Sequence, residues 1–147
     1  MLATAHVLTG ALIGRAVRRP ARAAALGVVS HLALDALPHW GIWPGTPHIR
    51  SKFLAVAAID GVTLSVALTV MVRRGRPRAE IAGALGALVL DLDKPAALLG
   101  VRQLWPDRVH AVHLGVQRHE QPRRWRVDVT VAALSALALW ATERRTG

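Results

Sequence analysis

Three residues with metal-binding side chains recur every four positions within residues 30–40: His31, Asp35 and His39. Side chains four apart lie on one face of a helix, so His31 and Asp35 point the same way. Pro38 cannot continue a helix, so the helix should end there and His39 can turn back toward Asp35. Imidazole and carboxylate groups are the usual ligands of zinc and similar divalent ions, so the spacing predicts a metal site at a helix end. A hydrogen-bonded His–Asp pair without metal is the alternative.

The rest of the chain must supply helices that position this site. The chain has 147 residues, of which 52% are apolar, a composition that indicates one domain, residues 1–147. Its apolar segments cover residues 2–17, 21–37, 53–72, 79–99 and 127–141. We expect an all-α integral membrane bundle of four to five short transmembrane helices, with an interfacial amphipathic helix at about residues 105–118. A soluble Ala-rich bundle is the alternative because several segments are short, but none of them has a broad polar face.

A G-x-x-x-G spacing at Gly10 and Gly14 predicts that another helix approaches the first one closely. The N-terminal residues contain no basic region of the kind that begins a removable signal peptide. The chain has no cysteine, which excludes disulfides and thiol catalysis.

The net charge of +10 is carried almost wholly by arginine, and the loops at residues 15–22 and 73–78 hold four arginines each. Short basic loops favour the cytoplasmic side, which predicts a multi-pass protein of the cytoplasmic membrane with the loops at 38–52 and 100–126 outside. The expected partners are membrane lipids with anionic headgroups. Nucleic acid is not expected, because the basic residues are divided among loops without a stacking platform. No protein partner is indicated.

Several ionisable residues reach one depth in this topology. A rise of about 1.5 Å per residue places His6, Asp60 and Asp91 near the level of Asp35, in the outer half of the membrane. A charge in hydrocarbon costs at least about 2.5–3.5 kcal/mol, so such groups are rarely unpaired. A shared metal or a proton-linked cluster is therefore expected.

Asp91 and Asp93 are two residues apart and would face different ways on a regular helix. Pro95 disfavours helix at Lys94, so a loosened helix end can turn both carboxylates inward. The alternative is a capped helix end in which one aspartate pairs with Lys94.

Residues 105–118 present His110, His113 and Gln117 on one helical stripe and apolar residues on another. The pattern predicts a helix on the membrane surface with two histidines able to face the site, whereas solvated histidines are the alternative. His48, His119 and Glu120 are expected to be ordinary loop residues.

Together these motifs resemble the bacterial membrane-bound metal-dependent hydrolases, which are small helical inner-membrane proteins. The resemblance lies in His6, in Ser-His-Leu-x-Leu-Asp-x-x-Pro-His-Trp at 30–40, and in residues 86–93, which look like that family's Gly-x-Leu-x-Pro-Asp-x-Asp-His segment. His110 and His113 occupy roughly the place of the family's later histidines.

The chain departs from the family pattern at two positions of this segment. Leu90 stands where proline is usual, Lys94 stands where histidine is usual, and the family's His-Arg-Gly-x-x-His-Ser segment is missing. The H-x3-D element also looks like that of zinc-dependent phospholipases C and P1-type nucleases, but four residues are too few to imply common ancestry.

The expected function is metal-dependent hydrolysis of a phosphoester or lipid-linked substrate at the outer face of the cytoplasmic membrane. One or two divalent ions, zinc with manganese as the alternative, would activate water, and flanking arginines would hold an anionic headgroup. The expected metal ligands are His6, His31, Asp35, His39, Asp91, Asp93, His110 and His113. A spare carboxylate, Asp60 or Asp93, would be the general base. The alternative is a non-catalytic membrane protein whose cluster binds metal structurally or relays ions or protons.

Overall fold

The computed structural model describes residues 1–41, 50–100 and 104–144 of the chain. Its α-helices are α1 (Ala3–Val17), α2 (Pro20–Asp35), α3 (Arg50–Arg73), α4 (Arg78–Leu88), α5 (Asp93–Leu98), α6 (Asp107–Val116) and α7 (Trp125–Glu143). Short 3-10 turns occupy Val89–Leu92, Gln117–His119 and Pro122–Arg124. No strand occurs within these ranges, which confirms the all-α class for this part of the chain. His48 and most of the loop expected at 38–52 lie outside the described residues.

The helix ends follow from the positions of proline and from one loosened turn. Pro20 is at the first position of α2, where the N–H that proline lacks has no helical partner anyway. The same helix ends at Asp35, shortly before Pro38. The apolar segment at 79–99 is divided, because a 3-10 turn at Val89–Leu92 separates α4 from α5. The helix therefore loosens where the two aspartates were expected to turn inward.

Polar contacts at one end of the bundle join α1, α4 and α7. Arg15 near the end of α1 donates hydrogen bonds to Glu80 over 2.9 and 3.0 Å, and to Thr142 over 2.6 Å. Arg76, in the loop before α4, pairs with Glu143 at the end of α7. The two arginine-rich loops thus lie at the same end, as the sequence predicts.

The opposite end holds the start of α1. Asp60 of α3 and Asp128 of α7 accept hydrogen bonds from main-chain N–H groups of residues 2–4, and Asp35 at the end of α2 contacts His6. It follows that α1, α3 and α7 run in one direction and α2 and α4 in the other.

Small residues bring α1, α2 and α4 into main-chain contact. A Cβ atom on Gly10 or on Gly27 would collide with the carbonyl oxygen of Gly83, and one on Gly14 would collide with the carbonyl oxygen of Ala79. These contacts confirm the close approach predicted from the Gly10–Gly14 spacing. The helices therefore meet backbone to backbone, with polar contacts at both ends of the bundle.

The distribution of apolar side chains is the reverse of that in most soluble proteins. Buried apolar residues are mainly alanines, while large side chains such as Ile59, Val62 and Leu134 are 68%, 65% and 61% exposed. Lys52–Arg73 is the one helix of the described residues with the length and composition of a membrane span, with 22 residues and a mean hydropathy of 2.0. None of its apolar window is buried. A bundle of four to five spans remains a prediction.

Candidate metal centre

The carboxylate of Asp35 is the centre of a buried polar cluster at the end of α2. Its Oδ2 atom lies 3.3 Å from His31 Nε2 and 3.4 Å from His113 Nε2. Gln117 donates a hydrogen bond from Nε2 to the same oxygen over 2.9 Å. The helical spacing places His31 beside Asp35 as predicted, and α6 with its following turn adds two partners from a distant part of the chain.

The other oxygen of Asp35 faces a different set of groups. Oδ1 lies 3.1 Å from His6 Nε2 and 3.6 Å from His39 Nε2. The amino group of Met1 lies 2.6 Å from the same atom. His39 thus returns toward Asp35 after the helix ends, as expected from Pro38.

The orientation of His31 is fixed from behind. Its Nδ1 lies 2.7 Å from the carbonyl oxygen of Ala87, which can only accept, so Nδ1 carries the proton. In the neutral imidazole the inward Nε2 then presents a lone pair, 3.0 Å from His113 Nε2. A carbonyl acceptor behind an inward-facing nitrogen is the usual outer-shell arrangement of a metal-ligating histidine.

Asp91 completes a set of ligand atoms. Its Oδ1 lies 3.9 Å from His113 Nε2 and 2.7 Å from Lys94 Nζ, so the expected inward orientation of Asp91 and the alternative, a pairing with Lys94, occur together. One ligand atom from each of His31, Asp35, Asp91 and His113 lies within 4.8 Å of the others, and all four residues are buried. Two imidazoles and two carboxylates in this arrangement could hold a metal ion.

Asp93 and His110 form a second layer outside this set. Asp93 Oδ2 lies 3.5 Å from His110 Nδ1 and 3.9 Å from His113 Nδ1, on the side of His113 opposite its inward nitrogen. His113 is therefore buried with an aspartate on either side of its ring, in contrast to the solvated alternative, while the side chain of His110 is 35% exposed. These positions favour a supporting role for Asp93 and His110 over direct ligation.

Asp60 lies at the start of α1 instead of at the cluster. Its Oδ2 accepts the N–H of Ala3 over 2.7 Å, and its Oδ1 accepts the N–H of Thr4 over 3.1 Å. Both oxygens are occupied by N–H groups that have no partner within their own helix, so we assign Asp60 a capping role in place of the general-base role expected from the sequence.

Three residues of this region were not assigned to the site from the sequence: Gln117, Glu120 and Asp128. Glu120 Oε1 lies 3.4 Å from His39 Nε2. Asp128 is fully buried and accepts the N–H groups of Leu2 and Trp40 over 2.7 and 2.9 Å. Gln117 shares the polar stripe of His113, and that spacing was the available signal. A second signal was the position of Asp128, which is a lone charge near the start of an apolar segment.

Comparison with known proteins adds no assignment. No family model matches the chain, and no curated protein or solved structure was found to be similar to it. The function is therefore argued from the site.

Proposed function

We propose that this protein is a metal-dependent hydrolase of phosphoesters, embedded in a membrane with its centre near one face. The observation that carries the proposal is the convergence of ligand atoms from His31, Asp35, Asp91 and His113 within 4.8 Å. A divalent ion bound there would act as a Lewis acid that polarises the scissile bond and activates water. The residues of the chain hold that ion, position the substrate and move the proton.

Asp93 is the candidate general base. It lies beside His113 outside the proposed ligand set, and its Oδ1 is buried without a hydrogen-bond partner among the described residues. Its other oxygen faces His110, whose side chain is 35% exposed. A proton accepted at Asp93 can therefore pass to His110 and on to solvent.

Lys94 favours an anionic substrate. Its ammonium lies 2.7 Å from Asp91 at the edge of the ligand set, and its side chain is 41% exposed. The loops at 15–22 and 73–78 lie at the opposite end of the bundle, where Arg15 and Arg76 form ion pairs with glutamates. Lys94, rather than those loops, is placed to attract a phosphoryl group.

Membrane location is supported by the distribution of side chains. The cluster and Glu80 are buried, whereas large apolar side chains point outward along the helices. Polar residues inside a bundle with apolar residues outside it are typical of membrane proteins. Resistance of the membrane-bound chain to extraction at alkaline pH is the measurement that checks this location.

The test of function combines metal content with hydrolysis. We expect the detergent-purified protein, loaded with zinc or manganese, to hydrolyse a chromogenic phosphoester, and His113→Gln to lose both the ion at the ligand set and the activity. His119→Gln is the matched control, since that imidazole contacts Arg118 at the surface. A wild-type protein that binds no divalent ion under any loading condition would overturn the proposal.

A non-catalytic cluster is the second candidate, and two contacts favour it. Lys94 neutralises Asp91, and Gln117 donates to Asp35, so part of the cluster is satisfied by the chain itself. A structural site is closed to substrate, whereas a catalytic site keeps an open ligand position. Two results together would select this candidate: the protein binds metal but hydrolyses no class of phosphoester, and bound Mn²⁺ does not broaden the proton signals of the solvent.

A further inference from the structure

The two oxygens of Asp35 face two separate groups of nitrogen atoms. Oδ2 faces His31 and His113, which belong to the ligand set described above. Oδ1 faces His6 at 3.1 Å and His39 at 3.6 Å, which do not belong to it. A carboxylate whose two oxygens face different groups of nitrogen atoms can bridge two cations, one on each oxygen.

His39 directs a nitrogen lone pair into the second group. Its Nδ1 lies 2.6 Å from the carbonyl oxygen of Leu37, so Nδ1 carries the proton and Nε2 of the neutral ring presents a lone pair. The side chain of His39 is fully buried, and Nε2 has no hydrogen-bond partner among the described residues. This lone pair faces two acceptors among the described residues: Asp35 Oδ1 at 3.6 Å and Glu120 Oε1 at 3.4 Å.

Glu120 is held in this position by the main chain of the residue that follows it. The N–H of Gln121 donates to the carbonyl oxygen of His39 over 2.9 Å, which fixes the chain after α6 to the chain after α2. The side chain of Glu120 packs so closely on Gly41 that a Cβ there would collide with its carboxylate. Glu120 is thus directed at His39 although its side chain is 12% exposed.

We propose a second divalent-cation site formed by His39 Nε2, the carboxylate of Glu120 and Asp35 Oδ1, with His6 Nε2 beside it. The inference rests on the proposed function and deepens it: Asp35 bridges two ions, and Glu120 is a ligand that the sequence assigned to a loop. One imidazole and two carboxylates suit zinc or manganese. The amino group of Met1, 2.6 Å from Asp35 Oδ1, lies where such an ion would bind and would have to move aside or join its ligands.

Two ions bridged by a carboxylate would suit the phosphoester substrates proposed above. Paired ions a few ångströms apart stabilise both the attacking and the leaving oxygen of an in-line displacement at phosphorus. Aminopeptidases use paired ions as well, so the second site fits phosphoesters and does not by itself exclude amides.

The test counts ions in three variants. The detergent-purified protein is freed of metal with a chelator and titrated with Mn²⁺, and the bound ions are counted by elemental mass spectrometry and observed by electron paramagnetic resonance. We expect two equivalents and an exchange-coupled signal in the wild type. Glu120→Gln should bind one equivalent and give the signal of an isolated ion, whereas the neighbouring control His119→Gln should match the wild type. His39→Asn is a second route to the same loss if the first variant does not fold.

The outcomes separate this inference from the proposed function. One equivalent in the wild type, lost in His113→Gln and unchanged in Glu120→Gln, would overturn the second site and leave the hydrolase proposal standing. Two equivalents that give no magnetic coupling would overturn the bridging role of Asp35. No bound ion at all would overturn both proposals.

Discussion

Gln117 donates a hydrogen bond from its side-chain amide to Asp35 Oδ2 over 2.9 Å, and thereby joins the turn after α6 to the end of α2. The amide nitrogen also lies 3.0 Å from His113 Nε2. A single side chain therefore orients two of the proposed ligands, which is the role of the outer shell in metal sites.

Gln117→Ala should weaken divalent-ion binding about 10- to 100-fold, the usual cost of losing an outer-shell partner. Asp35 loses the donor that holds its Oδ2 toward the two imidazoles, while the helices keep their contacts. Competition with a fluorescent chelator measures the affinity. Gln121→Ala is the control because that side chain accepts a surface hydrogen bond from Arg124. An unchanged affinity in Gln117→Ala would contradict the orienting role.

Asp60→Ala should lower the free energy of unfolding by about 0.5–2 kcal/mol, as expected for the loss of a helix cap. The N–H groups of Ala3 and Thr4 lose their acceptor, but the bound metal should be unchanged. Denaturant unfolding in detergent and metal analysis check the two parts. Thr63→Ala, on the exposed face of α3, is the control. Loss of hydrolysis at unchanged stability would restore Asp60 as a general base.

Gly83→Ala should destabilise the bundle by roughly 1–3 kcal/mol, because the added methyl group enters a main-chain contact that cannot open without moving a helix. The added atom would meet the carbonyl oxygen of Gly10. Gly61→Ala is the matched control, since among the described residues no atom from outside its own stretch of helix lies within 4 Å of a Cβ at that position. Relative to the wild type in the same detergent, the changes in melting temperature of the two variants should therefore differ in sign or in size. Equal changes would show that the glycine contact does not set the packing.

Glu80→Ala should reduce the free energy of unfolding by up to about 3 kcal/mol, near the lower limit for breaking a buried ion pair, because Arg15 loses its partner while its side chain is 18% exposed. Glu143→Ala should change stability less, because the side chain of Glu143 is 35% exposed, whereas that of Glu80 is 4% exposed. Unfolding in denaturant measures both. Equal losses in the two variants would contradict the difference in burial.

The pair at Glu143 also has a predicted pH dependence. The hydrogen bond from Arg76 holds the pKa of Glu143 below its usual value. A carboxyl with a depressed pKa in the folded protein contributes stability above its unfolded pKa, and this contribution is lost as the pH falls through the folded pKa. The difference between wild type and Glu143→Ala should therefore disappear in acid.

Local rules predicted the part of the site that lies on one stretch of chain. The spacing of His31 and Asp35 on a helix, the stop before Pro38 and the return of His39 all follow from backbone geometry. Depth along the helices correctly grouped His6, Asp35 and Asp91 at one end. The depth of a residue along its helix does not say which way its side chain points. For this reason Asp60 was expected at the cluster, although it faces the start of α1.

The remaining members depend on tertiary placement. Glu120 reaches His39 only because Gln121 bonds to the main chain of His39, a contact between residues about 80 positions apart that no local pattern encodes. Asp128 acts on main-chain N–H groups at two distant positions, so its role leaves no trace in the spacing of side chains.

Asp35 contacts residues that lie far from it in the sequence, so its contacts can form only in a certain order while the chain is synthesised. His6 lies 29 residues before it, and Gln117 lies 82 residues after it. A ribosome must therefore have completed α1 to α6 and the turn that follows before the proposed ligand set can close. An ion acquired earlier would lack His113, the one proposed ligand that α6 supplies, so the proposed metal should be bound only after α6 has been synthesised.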